Sequence, residues 1–489
     1  MTGSISSPGL GSGLDVKSIV DKLVAIEHRP VDVLAAQTKG VQTRLSSFGL
    51  LKSFMSNLRD AAAKLADASL WKTTSATSSN PAIATATPLP GATTPPAVGG
   101  YRLKVGNLAQ AQTLVSTPSA DPKADLGAGR LLIEFGTWND AGTNFAPKAG
   151  ATPATITLTD AASSLEDVRD RINAANAGVD ATLLRDASGT RLVVKSRATG
   201  EENAVRITAS GPTDGDPPPA GLAALAYDPP HTAPGDASLT RAQPARNAHA
   251  TINGVDIASA TNTLDGAVEG LRISLLKASD DVVDLGVAPD TGAMKKALGA
   301  FVGAYNDITG YIATQTKYDA TSKTAATLQG DASTLQVQKQ LAGALSGMSA
   351  ASSAFPRLLD VGIHLNSDNT LSLDSSKADK ALANPQELAK AFAGHDASDP
   401  GKDGFGVRFV ALAGKTLDFE GLIATRTRAL EGTIRRAKDR QEKMEELVTQ
   451  YQARMLKVYT ALDTKMATLK AQSDYVTQQM KALAKNSGS

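Results

Sequence analysis

From Thr433 to Ser487 the chain contains neither glycine nor proline. At ~1.5 Å per residue that stretch can form one helical rod of roughly 80 Å. Stepping by four and three from Leu430 visits Ile434, Ala437, Gln441, Met444, Val448, Tyr451, Met455, Val458, Leu462, Lys465, Leu469, Gln472, Val476, Gln479 and Leu483. Of these 16 positions 12 are apolar. A 3.5-residue period kept up for this long is the pattern of a coiled coil. The misses gather after Leu462, so the last stretch is expected to bury less on its own.

The amino end mirrors it. Asp15 reads as an N-cap, followed by a short amphipathic helix bearing Val16, Ile19, Val20 and Leu23. Pro30 is expected to break that helix. A second helix then runs toward Leu70: stepping by three and four from Leu34 visits Gln37, Val41, Arg44, Phe48, Leu51, Met55, Leu58, Ala62, Leu65 and Ser69, with eight of the 11 apolar. A coiled-coil stripe near each terminus implies a hairpin-like molecule, with the termini together at one end. A third helical zone, 292–314 and 331–345, is expected to pack on the terminal helices.

Between them the chain changes character. Of the 23 prolines, 17 lie from Pro81 to Pro244, which excludes long helices there. The readable runs alternate as strands do: 101–105, 155–158, 191–195, 204–207 and 271–275. One helix interrupts them at 164–173, with Leu165, Val168 and Ile172 on one face. The fold class expected is therefore multidomain α+β. Coiled-coil helices at both ends form a leg with a helical bundle domain, and β-rich head domains are inserted in the middle.

The 489 residues carry 50 basic and 49 acidic side chains, a balance unlike that of a nucleic-acid binder. There is no cysteine, so disulfides and thiolate sites are excluded. No apolar run reaches the ~18 residues of a membrane helix. The start, Met1 to Leu14, has no basic and apolar pair of regions, so no cleaved signal is expected.

Candidate chemistry is sparse. His28, His231, His249, His364 and His395 include no pair at helical metal spacing. Gly9, Gly11 and Gly13 imitate a phosphate loop only by glycine content and read as a leader. Asn366 to Asp374 imitates a calcium loop without its sixth-place glycine or twelfth-place Glu, and reads as a turn between two strands. Arg426, Arg428, Arg435, Arg436, Lys438, Arg440 and Lys443 form a basic cluster interleaved with Glu431, Asp439 and Glu442. A nucleic-acid or lipid role is one reading. A solvated helix face with intrahelical ion pairs is the favoured one. No catalytic, metal or cofactor site is expected. The chain reads as a structural or assembly protein.

Several blocks carry a family resemblance. They are Gly11–Asp15 with Ile19, Val20, Leu23, Glu27 and Pro30; Leu45–Gly49 with Leu51 and Lys52; Phe301–Asn306; Thr316–Asp319; and Gly330–Asp331. Val361–Ile363, Leu371–Asp374, Lys380–Leu382, and Tyr459–Asp463 with Met466, Leu469, Ser473, Tyr475, Val476, Gln478 and Gln479 follow. In order and position these blocks resemble the flagellar hook-associated protein 2 family. The family often has a glycine in the turn that here reads Asn369-Thr370.

The resemblance implies a structural cap at the distal tip of the bacterial flagellar filament, outside the cell. Subunits of this kind are exported unfolded by the flagellar type III apparatus. The implied partners are flagellin, other copies in a ring-like homo-oligomer (a pentamer on the filament), and an export chaperone held by the C-terminal helix. Neither nucleic acid nor membrane insertion is implied. The expected interface is the heptad seam of Leu34, Val41, Phe48, Val448, Met455, Leu462, Leu469, Val476 and Leu483. The expected segments are 1–42, N-terminal leg; 43–76 and 285–432, helical leg domain; 77–130 and 245–284, β-rich head domain; 131–244, inserted second head domain; and 433–489, C-terminal coiled coil. The alternatives are a hook–filament junction protein and a tip adhesin binding host glycans.

Overall fold

The computed structural model describes residues 15–139, 141–213, 215–231 and 238–486. It is a multidomain α+β architecture. The chain divides into two compact units, Met1–Trp71 with Thr291–Ser489, and Lys72–Asp290.

The first unit is helical. Its helices are α1 (Val16–Ala66), and, beyond the β-rich unit that holds α2 (Leu165–Ala174) and α3 (Ala220–Ala223), α4 (Thr291–Thr316), α5 (Ala332–Ser346), α6 (Ser375–Leu382), α7 (Pro385–Ala393), α8 (Phe405–Leu417) and α9 (Leu422–Asn486). Asp15 caps α1 by accepting from the Ser18 N–H at 3.0 Å. α1 differs from expectation in being continuous through Pro30. The ring removes the N–H that would serve the Ile26 carbonyl. Pro30 and Ile26 both lie on the exposed side, so that carbonyl reaches water. α9 likewise begins upstream of Gly432 and runs through it.

One core holds this unit together. α1 contributes Phe48, Leu51, Met55, Leu58, Ala62 and Leu65, spaced by three and four. α4 contributes Met294, Leu298, Phe301, Tyr305, Ile308 and Ile312, and α8 contributes Phe405, Phe409 and Ala413. Trp71 stacks on Phe392 at 5.3 Å and donates its indole N–H to the Leu65 carbonyl at 3.0 Å. Each such fully buried side chain is worth about 1.5–3 kcal/mol. α1 packs along α8, α4 and α9.

The second unit is built on antiparallel sheets. A five-stranded sheet has the order Thr74–Ser78, Ser279–Pro289, Gly99–Asn107, Ala248–Ile252, Val255–Ser259. It shares a core with the sheet Thr263–Val268, Leu271–Leu275, Ala84–Pro88, through Leu103, Val105, Leu271, Ile273, Val283 and Leu285. Between Asn107 and Ala248 the chain makes a separate core, from Leu114 to Leu239. Two four-stranded sheets and α2 enclose it. α2 starts on a capping box, Ser164 with Asp167, and buries the expected Leu165, Val168 and Ile172.

Candidate assembly surface on the terminal helices

α9 shows two faces whose relation changes along its length. From Leu430 to Met455 the covered positions are Leu430, Ile434, Ala437, Gln441, Met444, Val448, Tyr451 and Met455, which is the heptad seam, with Glu431 and Gly432 half-covered beside its start. Beyond Met455 the covered positions become Tyr459, Asp463 and Ala467, four apart, with Thr460 beside the first. At ~100° per residue each four-residue step turns the covered face by ~40°, whereas a heptad turns it back by ~20°. The covered face and the apolar seam therefore part company.

The apolar seam is left facing solvent. Val458 is 52 % exposed, Leu462 45 %, Leu469 58 %, Val476 57 % and Leu483 64 %. Met466 and Met480 are exposed beside them. All seven fall within an arc of roughly 100°. Met side chains adapt to differently shaped partners. The remaining seam residues are spent within the chain to different degrees. Phe48 is buried in the helical core and Val448 is buried as well. Leu34, Val41 and Met455 are half-buried. The heptad count alone could not separate these groups, because it records spacing and not what lies opposite.

The other sequence candidates resolve into local structure. His28 Nδ1 lies 3.0 Å from Asp32 and His395 Nδ1 2.7 Å from Asp403. Among the described residues no three His, Cys, Asp or Glu side chains are grouped to hold a metal, and no helix is long and apolar enough to cross a membrane. The calcium-like segment is a hairpin between Ile363–Leu365 and Leu371–Leu373. Asn369 takes the left-handed conformation at φ 64°, which Asn tolerates where glycine is otherwise favoured. Asp374 caps α6 from the Ser376 and Lys377 N–H groups, which hold its carboxyl below the usual range, the Lys377 amide most strongly. Gly9, Gly11 and Gly13 lie outside the described residues.

In the basic cluster Arg426 reaches Asp331 at 2.8 Å, and Asp331 also caps α5. Arg428 lies over the Phe419 ring at 3.9 Å. Arg435, Arg436, Lys438, Arg440 and Lys443 are exposed, and none forms an ion pair among the described residues. The expected intrahelical ion pairs are absent among the described residues.

The fold defines a multidomain α+β assembly protein whose last helix leaves an apolar seam exposed. The model of the flagellar hook-associated protein 2 N-terminus matches residues 12–112, and that of its C-terminus matches residues 245–471. The chain is 30 % identical over 488 residues to flagellar hook-associated protein 2 of Escherichia coli K12, spanning 97 % of this chain and 98 % of that one. It is 27 % identical to the Salmonella typhimurium protein of the same name, across 99 % of this chain and 100 % of the relative. The crystal structure of the D1-D2-D3 domains of the Escherichia coli flagellar cap protein FliD superposes with TM-score 0.59 at 29 % identity, over 79 % of this chain and 99 % of that one. The chain belongs to the flagellar hook-associated protein 2 family, and it is a flagellar cap protein.

Proposed function

We propose that this chain sits at the distal tip of the filament, outside the cell. It holds back exported flagellin there and promotes its folding and polymerisation. It arrives through the flagellar type III apparatus. The α1–α9 pair serves as a coiled-coil leg, the β-rich unit as the head, and the segments 1–42, 43–76, 77–130, 131–244, 245–284, 285–432 and 433–489 as the working division. Copies form a ring-like homo-oligomer, a pentamer on the filament.

The coupling surface is the apolar seam at Leu462, Leu469, Val476 and Leu483, which takes flagellin on the filament and the export chaperone before it. The observation that carries this reading is the exposure of that seam beyond Met455. An amphipathic helix with no partner for its apolar face orders at the moment of binding, which lowers affinity per area and keeps the contact movable.

The double variant Leu469→Asp, Val476→Asp tests it. Both residues are exposed, so the subunit keeps its fold. Burying an unpaired carboxylate at an interface costs several kcal/mol. Cells carrying the variant are expected to release unpolymerised flagellin and to bear short filaments or none. Filaments of normal length would exclude the seam as the coupling surface.

A further inference from the structure

Charge on this chain is segregated. α1 carries 8 basic and 4 acidic side chains, and α9 carries 13 and 7. These two packed helices therefore hold +10 in a chain of formal net charge +1. The unit Lys72–Asp290 carries 17 basic and 23 acidic side chains, a net −6.

The excess on the helices is concentrated. Between Asp32 and Asp60, α1 has Lys39, Arg44, Lys52 and Arg59 and no acidic residue. On α9, Arg435 through Lys443 supplies five cations against Asp439 and Glu442. Lys39, Arg44 and Lys52 are exposed like the α9 cations, and none of these eight forms an ion pair among the described residues. Glu431, Asp439 and Glu442 stand one turn from Arg435, Lys443 and Lys438 without engaging them. Cations gathered at this density repel one another, and a surface of opposite sign relieves that repulsion.

We propose that the basic helix pair α1 and α9 of one copy docks on the β-rich unit 72–290, net negative, of a neighbouring copy. This deepens the ring reading above and rests on it. The chain carries its own counter-charge, and every added copy supplies one basic helix pair and one unit of net negative charge. A contact between unlike surfaces passes from copy to copy and closes a ring. A two-fold contact of helix pair with helix pair would instead set +10 against +10. The contact is polar and exposed, so it sets register and association rate and weakens with salt.

Zero-length carbodiimide cross-linking reads this contact, because it joins a lysine amine to a carboxylate only where the two touch. The full chain is assembled from equal amounts of isotopically light and heavy subunits. Mixed-isotope links are expected from Lys39, Lys52, Lys438 or Lys443 to carboxylates within 72–290. An assembled ring in which these lysines link only within one copy, or only outside 72–290, overturns the proposal. The triple variant Arg435→Glu, Arg436→Glu, Arg440→Glu keeps good helix formers at exposed positions. It is expected to raise the concentration for ring formation by about tenfold at low salt, with the gap closing in molar salt. An unchanged midpoint at low salt also overturns it. A wild-type chain that stays monomeric at every concentration removes the ring reading and this proposal with it; an assembled chain with the wrong links removes this proposal alone.

Discussion

Asn306 ties two elements together through one side chain. Its Nδ2 donates to the Leu371 carbonyl at 2.8 Å and its Oδ1 accepts the Leu371 N–H at 2.6 Å. The hairpin strand Leu371–Leu373 is thereby fixed to α4. One turn earlier Phe301 meets the edge of Phe409 at 5.0 Å and 75°, and Tyr305 is buried so that its hydroxyl is pushed up to about 12. The block Phe301–Asn306 was legible as a family signature, but its use as a brace was not, since Leu371 lies far along the chain. Replacing Asn306 with Ala leaves both Leu371 backbone groups without that partner. The variant is expected to lose about 2–4 kcal/mol, read from urea denaturation of the purified subunit. Gln112 does the same in the β-rich unit: it is buried, accepts the Val205 N–H at 2.8 Å and donates to the Val205 carbonyl at 3.2 Å. Nothing in the local sequence marks it, because a lone Gln between strands ordinarily faces water.

At the scale of elements, period and punctuation carried most of the reading. The shared face of Leu165, Val168 and Ile172 placed α2 within a residue, and the structure adds the reason it starts there: Ser164 and Asp167 satisfy orphan amides at its first turn. Pro30 misled, because a proline stops a helix only when the freed carbonyl has nowhere to go. On α9 the heptad marks where apolar side chains stand, and the structure shows that they are covered only as far as Met455. An uncovered helix end has only its own hydrogen bonds to hold it, and isolated helices are marginal. Amides from Leu469 to Leu483 are therefore expected to exchange with solvent well before those from Phe301 to Ile308, which lie in the helical core. Equal protection of the two stretches, measured by hydrogen exchange and mass spectrometry, would contradict this.

For the whole molecule, the chain passes once out of the helical unit and once back. The first and last strands of Lys72–Asp290 pair with each other, Thr74 opposite Pro289 through Ser78 opposite Leu285. A unit closed by its own end strands needs no other segment to satisfy its backbone. Residues 72–290 expressed alone are expected to fold cooperatively and resist protease; a disordered circular-dichroism spectrum would refute this. Composition and order already dictated an α+β protein with helical ends and a strand-rich middle, since prolines, glycines and apolar periods act on neighbouring residues. They also ruled out disulfides and thiolate chemistry, which need an atom the chain lacks. What lies opposite each side chain was not contained in them. Whether Phe48 is core or surface, whether Val458 to Leu483 are covered, and whether Arg435 to Lys443 find carboxylates depend on segments hundreds of residues apart. Such contacts follow from packing many weak interactions at once, and no local pattern records them.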